Sequence, residues 1–390
     1  MTYPSSLSLY KEILDTAHLK KIIEVAKLKP TIPTGFPHCT PTGNTKEYIY
    51  EPFEWWTSGF FPGSLWAVKE RLTKTDVVGL DENELNALAE DWKTRLEPHQ
   101  FNTDTHDIGF LIMPAFWREY QLNRSKKAGE IIVQAAKSLM TRWSDTVQAF
   151  RSWTTTTSKR YNFDNPESDF LVIIDNMMNL DLLYAASIIT GDSTYADHAT
   201  KHADTTMKNQ FRDDYSSYHL IVFDSKTGTK KIGLTCQGYS DSSCWSRGQA
   251  WALYGYASVY KYTKNPKYLE FAEKLADYFL SRVENGAVFW DFDAPKPCIL
   301  DISAAMIACS GLLLICELRN DLKYKSKVDT ILDFTMSHAA TSSDSVVILD
   351  HSTVNNNATA NHRIYDSGLV YADYYFLEVG NRLLDMNLLN

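Results

Sequence analysis

No stretch of this sequence is long and apolar enough to suggest a membrane span. The N-terminus, MTYPSSLSLYKEILDTAHLKK, lacks the charged start and apolar run that mark a signal peptide. Cationic excess is missing too. The chain has 39 Lys and Arg against 48 Asp and Glu, a formal charge of −9, which argues against a nucleic-acid partner. An anionic ligand would therefore need cations placed locally. Cysteine is sparse and scattered: Cys39, Cys236, Cys244, Cys298, Cys309 and Cys316 show no zinc spacing, and the last two sit in an apolar run as expected for buried thiols. With neither a metal cluster nor a nucleotide motif, no cofactor is expected. Taken together these absences favour a reducing cytoplasm, with the sequons at Asn123 and Asn357 as counter-evidence. Alternating β-branched runs are few, which argues against a sheet-based fold.

Helical patterning is what the chain has in quantity, and it comes in two kinds. The first is amphipathic. Leu85, Leu88, Ala89, Trp92 and Leu96 recur at helical spacing in residues 82–96, as do Leu269, Ala272, Leu275, Ala276, Phe279 and Val283 in residues 268–283. Segments near 8–27, 126–143, 193–209 and 324–337 follow the same rule. The second kind is apolar nearly all round and rich in small residues: GFFPGSLWAVKE, IGFLIMPAFWREY, DNMMNLDLLYAASIIT, RGQAWALYGYASVYKY, DISAAMIACSGLLLICEL and SGLVYADYYFLEVGNRLL. A helix without a polar face belongs in an interior. Pairing each with an amphipathic partner gives six hairpins at an uneven period of roughly 50–70 residues. The expected fold is all-α, a closed (α/α)6 barrel of six helical hairpins, with residues 1–390 as one domain.

Several inner helices open on polar residues: His106-Asp107, Asp175-Asn176, Arg247-Gly-Gln249 and Asp301. In such a barrel these N-terminal ends gather at one mouth, where side chains share a cavity and the helix dipoles favour negative charge. Each acid could equally be an N-cap, and for Asp301 capping is the preferred reading.

Four strings carry more than helix-start chemistry: Trp56-Thr-Ser-Gly-Phe-Phe-Pro-Gly63, His106-Asp-Ile-Gly-Phe110, Ile174-Asp-Asn-Met-Met-Asn179, and Gln237-Gly-Tyr-Ser-Asp-Ser-Ser-Cys-Trp-Ser-Arg-Gly-Gln-Ala-Trp251. In this order the chain resembles the unsaturated glucuronyl hydrolases, family 88 of the glycoside hydrolases, from about Trp55 to the last inner helix. The resemblance implies removal of a terminal uronic acid with a C4=C5 double bond from lyase-generated oligosaccharides, such as those of glycosaminoglycan degradation. It implies hydration of that double bond instead of attack at the anomeric carbon, which departs from the two-carboxylate geometry of ordinary glycosidases. Asp175 matches the acid/base. Its neighbours Ile173, Ile174, Met177 and Met178 would desolvate it and raise its pKa. Asp107 matches a second essential carboxylate, which would raise Asp175 further and stabilise cationic charge; a structural ion pair is its competing account. His219 aligns with a pocket histidine, and Gln237 and Arg247 with residues that bind the unsaturated sugar. Arg247 could fork onto a carboxylate or pair with Asp241 or another acid. Trp56 and Trp251 match aromatics that stack on a pyranose, or pack in the core.

Departures from the family pattern fall at Ser58, at Ser242 and in Asp366-Ser-Gly-Leu-Val-Tyr-Ala-Asp373, where Ser367 is the candidate contact to the substrate carboxylate. They leave the choice of sugar open. The alternatives are an unsaturated rhamnogalacturonyl hydrolase acting on pectin fragments, a sugar 2-epimerase, which would need paired histidines, and a carbohydrate-binding protein, which could dispense with Asp175.

Overall fold

A computed structural model describes residues 6–28, 30 and 35–388, and it is mostly helical. The apolar strings form the interior helices: α3 (Phe60–Leu72), α5 (Ile108–Ile112) with α6 (Arg118–Asn123), α8 (Asn176–Thr190), α10 (Ser246–Thr263), α12 (Ile302–Arg319) and α14 (Val370–Asp385). The amphipathic segments form α1 (Ser6–Ile13) and α2 (Thr16–Lys27), α4 (Glu82–Thr94), α7 (Lys126–Met140), α9 (Thr194–Asn209), α11 (Pro266–Ser281) and α13 (Lys325–Ala339). The expected single helix over 8–27 is split because Asp15 starts a new one, its carboxylate accepting the backbone N–H of Ala17.

Each interior helix packs on the next in chain order, from α3 through α5–α6, α8, α10 and α12 to α14, which returns to α3. The outer helices lie against them: α4 on α3, α7 and α9 on α8, α11 on α10, α13 on α12. Small residues set the spacing. A Cβ on Gly255 would fall 2.6 Å from Met177 Cβ, and one on Gly63 2.5 Å from Pro114 Cβ, so the helices could not approach so closely without glycine. Between α5 and α6, residues Met113–Trp117 widen into a π-helical turn. Pro114 has no N–H for the carbonyl one turn earlier, and the wider turn accommodates its ring.

One interior helix corrects an expectation. α12 has a mean hydropathy of 1.7 over its 18 residues, enough by composition to cross a membrane, yet 83% of it is buried inside the protein. Its apolar girth matches its neighbours in the ring.

The strands are short: β1 (Phe36–Cys39) with β2 (Ile49–Glu51), β3 (Trp143–Ser144) with β4 (Ala149–Phe150), and β5 (Thr156–Thr157) with β6 (Asn162–Phe163). A three-stranded antiparallel sheet follows, β7 (Asp169–Ile173), β8 (Leu220–Asp224) and β9 (Lys230–Leu234). It matters beyond its size, because Ile173 pairs with Leu220 and the Ile174 N–H donates to the His219 carbonyl at 2.9 Å. Residue 175, at the head of α8, is thereby held next to residue 219, although α8 and α9 separate them in sequence.

The C-terminal ends of the interior helices gather at the opposite side of the ring around a cavity of about 230 Å3. There Glu378 accepts from Arg118 at 2.7 Å, from Tyr254 at 2.5 Å and from Ser310 at 2.6 Å, tying four interior helices through one carboxylate.

Candidate active site

Three acids precede interior helices, and the structure separates them. Asp301 caps α12, accepting from the N–H groups of Ser303 and Ala304. Neither Asp107 nor Asp175 makes a capping hydrogen bond to its helix. Their carboxylates are turned to other uses.

Asp175 is 7% exposed, and its buried Oδ2 has no hydrogen-bond partner among the described residues. Burial pushes its pKa up to about 7. The Arg247 guanidinium opposes that rise, the Asp107 charge adds to it, and the Trp251 indole N–H opposes it. Burial raises other acids as well. Asp373 reaches about 7, but its two oxygens accept the N–H groups of Ile348 and Leu349, as befits a structural group. Asp181, raised to about 6, lines the cavity at the far end. Asp175 alone of the three combines a buried, unpaired oxygen with a second acid in its field.

Asp107 is more open, its side chain 15% exposed. One oxygen accepts the Thr105 hydroxyl at 2.9 Å, and the other lies 3.2 Å from His106 Nε2. The neighbouring cation considered from the sequence is thus a histidine, and burial lowers its pKa and keeps it neutral near pH 7.

His219 is fully enclosed. The Cys236 backbone N–H donates to its Nδ1 at 3.0 Å, which puts the ring proton on Nε2. That Nε2 is 3.8 Å from Asp175 Oδ2. Desolvation, reinforced by Arg247 and His106, holds its pKa down to about 3. It therefore turns a neutral N–H toward the carboxyl, beyond hydrogen-bond reach, and cannot pull off its proton. Trp245 packs on the ring at 4.7 Å and Trp153 meets it edge-on at 5.8 Å.

The sequence left Arg247 between a substrate fork and an ion pair, and the structure shows the ion pair, with Asp301 at 2.9 Å. Asp241 is engaged elsewhere, by Tyr161 and Arg160. The terminal nitrogens of Arg247 also donate to the carbonyls of Thr353 and Val354 and to Gln237 Oε1. Its buried Nε–H alone makes no hydrogen bond among the described residues. A forked contact to a ligand would require breaking these bonds, so Arg247 acts on the site through its field and that single N–H.

The two tryptophans differ. Trp56 is half-buried among Phe60, Phe110 and Tyr371 and keeps an accessible portion. Trp251 is completely buried between Phe110 and Tyr375, so it offers no open face for stacking. Its role is to wall Asp175. Ser367 is likewise buried, its hydroxyl donating to the Tyr365 carbonyl at 3.1 Å, and it lies in the loop paired with Ser352 instead of facing an open pocket.

Sequence reasoning passed over several polar groups here. Among the described residues the buried Tyr371 hydroxyl, Nε2 of His38 and Nδ1 of His106 make no hydrogen bond. Such orphaned groups are rare in a folded interior unless something else satisfies them. Tyr371 and His38 carried no distinguishing motif; His106 stood in plain view beside Asp107.

A buried carboxyl of raised proton affinity, a second acid in its field and an aromatic wall lie together at one end of the helical ring, an arrangement suited to acid/base chemistry. The chain belongs to Glycosyl Hydrolase Family 88, whose sequence profile matches residues 44–259. It is 39% identical to the unsaturated glucuronyl hydrolase of Formosa agariphila over 85% of this chain and 80% of that one. A crystal structure of an unsaturated glucuronyl hydrolase specific for heparin superposes with a TM-score of 0.84 at 32% identity, covering 98% of both chains. A further relative, solved with dGlcA-Glc-Rha-Glc, gives a TM-score of 0.80 at 28% identity, covering 94% of this chain and 96% of that one.

Proposed function

We propose that this protein removes the terminal 4,5-unsaturated uronic acid from lyase-generated oligosaccharides, working in an (α/α)6 barrel whose mouth holds Asp107 and Asp175. The raised proton affinity of Asp175 carries the reading. A vinyl ether carbon is a weak base, so its protonation needs an acid that is still protonated near neutral pH. Asp175 gives its proton to C4 of the sugar. Positive charge then develops at C5 and the ring oxygen, where Asp107 stabilises it as a carboxylate. Water adds at C5 and returns a proton to Asp175, which now acts as base. The C5 hemiketal opens to a ketone, and the hemiacetal left at C1 expels the rest of the chain. His219 backs the Asp175 carboxyl at 3.8 Å, Gln237 lies beside the sugar, and Trp56 supplies a stacking face. The field of Arg247 offsets the protein's net negative charge for a uronate. Six cysteines, all free of disulfides, support a reducing compartment.

Incubation with unsaturated chondroitin, heparin, hyaluronan and pectin disaccharides, followed through loss of the double-bond absorbance, tests this. Turnover of a glycosaminoglycan product is expected. Inertness toward all four would remove the hydrolase reading, and turnover of the pectin product alone would transfer it to rhamnogalacturonyl substrates.

The pH profile is a second check. Only protonated Asp175 can start the reaction, so kcat/KM is expected to hold below pH 7 and fall as pH rises through about 7. An alkaline limb beyond pH 9 would exclude Asp175 as the acid.

A further inference from the structure

The two acids are joined from behind by a buried frame that the proposed reaction does not use. At its centre is the peptide of Phe150, in β4. Its N–H donates to His202 Nδ1 at 3.1 Å, and its carbonyl accepts from Asn176 Nδ2 at 3.1 Å. Asn176 follows Asp175 directly, and its amide lies against His106, which precedes Asp107. His202, on the outer helix α9, bears electrostatically on His106 in turn. His106, Asn176 and His202 are all 0% exposed. Nε2 of His202 and Oδ1 of Asn176 make no hydrogen bond among the described residues, and His106 Nε2 meets Asp107 at 3.2 Å, so the frame is a concentrated set of buried polar groups.

From this arrangement we infer that His202 is a positioning residue, which through the Phe150 peptide, Asn176 and His106 fixes the separation of Asp107 from Asp175. The tautomer follows from the donor: Nδ1 accepts from Phe150, so the proton sits on Nε2. Burial drives the His202 pKa down to about 3, so the ring stays neutral and holds this tautomer through the working range. An outer-helix residue thereby determines how strongly one catalytic charge is felt by the other acid. The groups facing the acids are Arg142 and His106 around Asp107, with His202 behind His106, and Arg247, His219 and Trp251 around Asp175. Arg142 is itself fixed by the carbonyls of Thr103, Arg151 and Ser152, so it cannot follow a displaced Asp107.

The inference rests on the acid/base reading above. His202→Leu keeps the volume and removes the acceptor. The acids then drift apart, Asp175 loses part of the repulsion that holds its proton, and the alkaline limb of kcat/KM moves to lower pH by about half a unit. A fall in kcat of about tenfold with little change in KM accompanies it. His202→Asn, whose oxygen can replace Nδ1, is expected to keep the limb in place. Asn176→Ala cuts the same frame from α8 and must move the limb in the same direction, which decides the matter if His202→Leu does not fold. An unmoved limb in a folded His202→Leu or Asn176→Ala protein overturns the inference, since a purely structural role would lower the melting temperature alone. Activity in Asp175→Asn would instead overturn the acid assignment, so the two failures are separable.

Discussion

Asp175→Asn lowers kcat by about a thousandfold, the range in which a positioned general acid operates, while binding of the unsaturated sugar changes little. The amide fills the same space beside Trp251 and His219 but has no proton to give at neutral pH. Stability provides an internal control. In the wild type the raised pKa means that the site is neutral at pH 5 and carries a buried charge at pH 8. The stability associated with the bound proton is complete below the unfolded-state pKa and is lost as pH rises through about 7. The variant cannot ionise, so it is expected to melt above the wild type at pH 8, by a margin that shrinks steadily as pH falls toward the unfolded-state pKa. Near-normal turnover, or a melting temperature that falls at both pH values, would contradict the assignment.

Arg247→Met has its main effect on folding. It leaves Asp301 at 0% exposure without its cation, and loss of one partner from a buried ion pair costs about 3–5 kcal/mol. The urea midpoint should drop accordingly. Asp301→Asn in the same chain removes the stranded charge and keeps a polar side chain before α12, so the double variant should recover much of the loss. Arg247→Lys should not rescue, because a single ammonium cannot reach Asp301, Gln237 and two backbone carbonyls at once. A midpoint within about 0.5 kcal/mol of wild type would show that the ion pair is not what holds this region.

The helical architecture was legible because helices announce themselves by period. The six apolar strings and their amphipathic partners reappear as interior and outer helices with ends shifted by a few residues. The sheet β7–β8–β9 was not legible. Its segments are short, and Leu171–Ile174 followed directly by α8 reads as one apolar run whether helix or strand. That gap had a consequence for the site, since the pairing of β7 with β8 is what brings His219 to Asp175. Sequence resemblance named His219 without a reason for its position. Asp107 and Asp175 could be singled out, but only geometry shows that they do not cap their helices whereas Asp301 does. Arg247 and Trp251 each left two readings open, ligand contact or internal packing, and only burial and partners reveal that one is tied to Asp301 and the other walled in. His202 had no signal at all, because a histidine on an amphipathic helix looks like surface until its neighbours are known.

The bonds from Arg247 to the carbonyls of Thr353 and Val354 couple two properties that are usually thought of as separable. The segment from His351 to Ser367 lies beside the departures at the C-terminal motif, where a change in accepted sugar would be expected to arise. Any remodelling of that segment moves the acceptors of Arg247, and with them the positive charge that offsets the burial of Asp175. A variant lineage that drifts toward a new oligosaccharide therefore shifts its pH optimum along with its preference, and would need a compensating change around Asp301 to bring the optimum back.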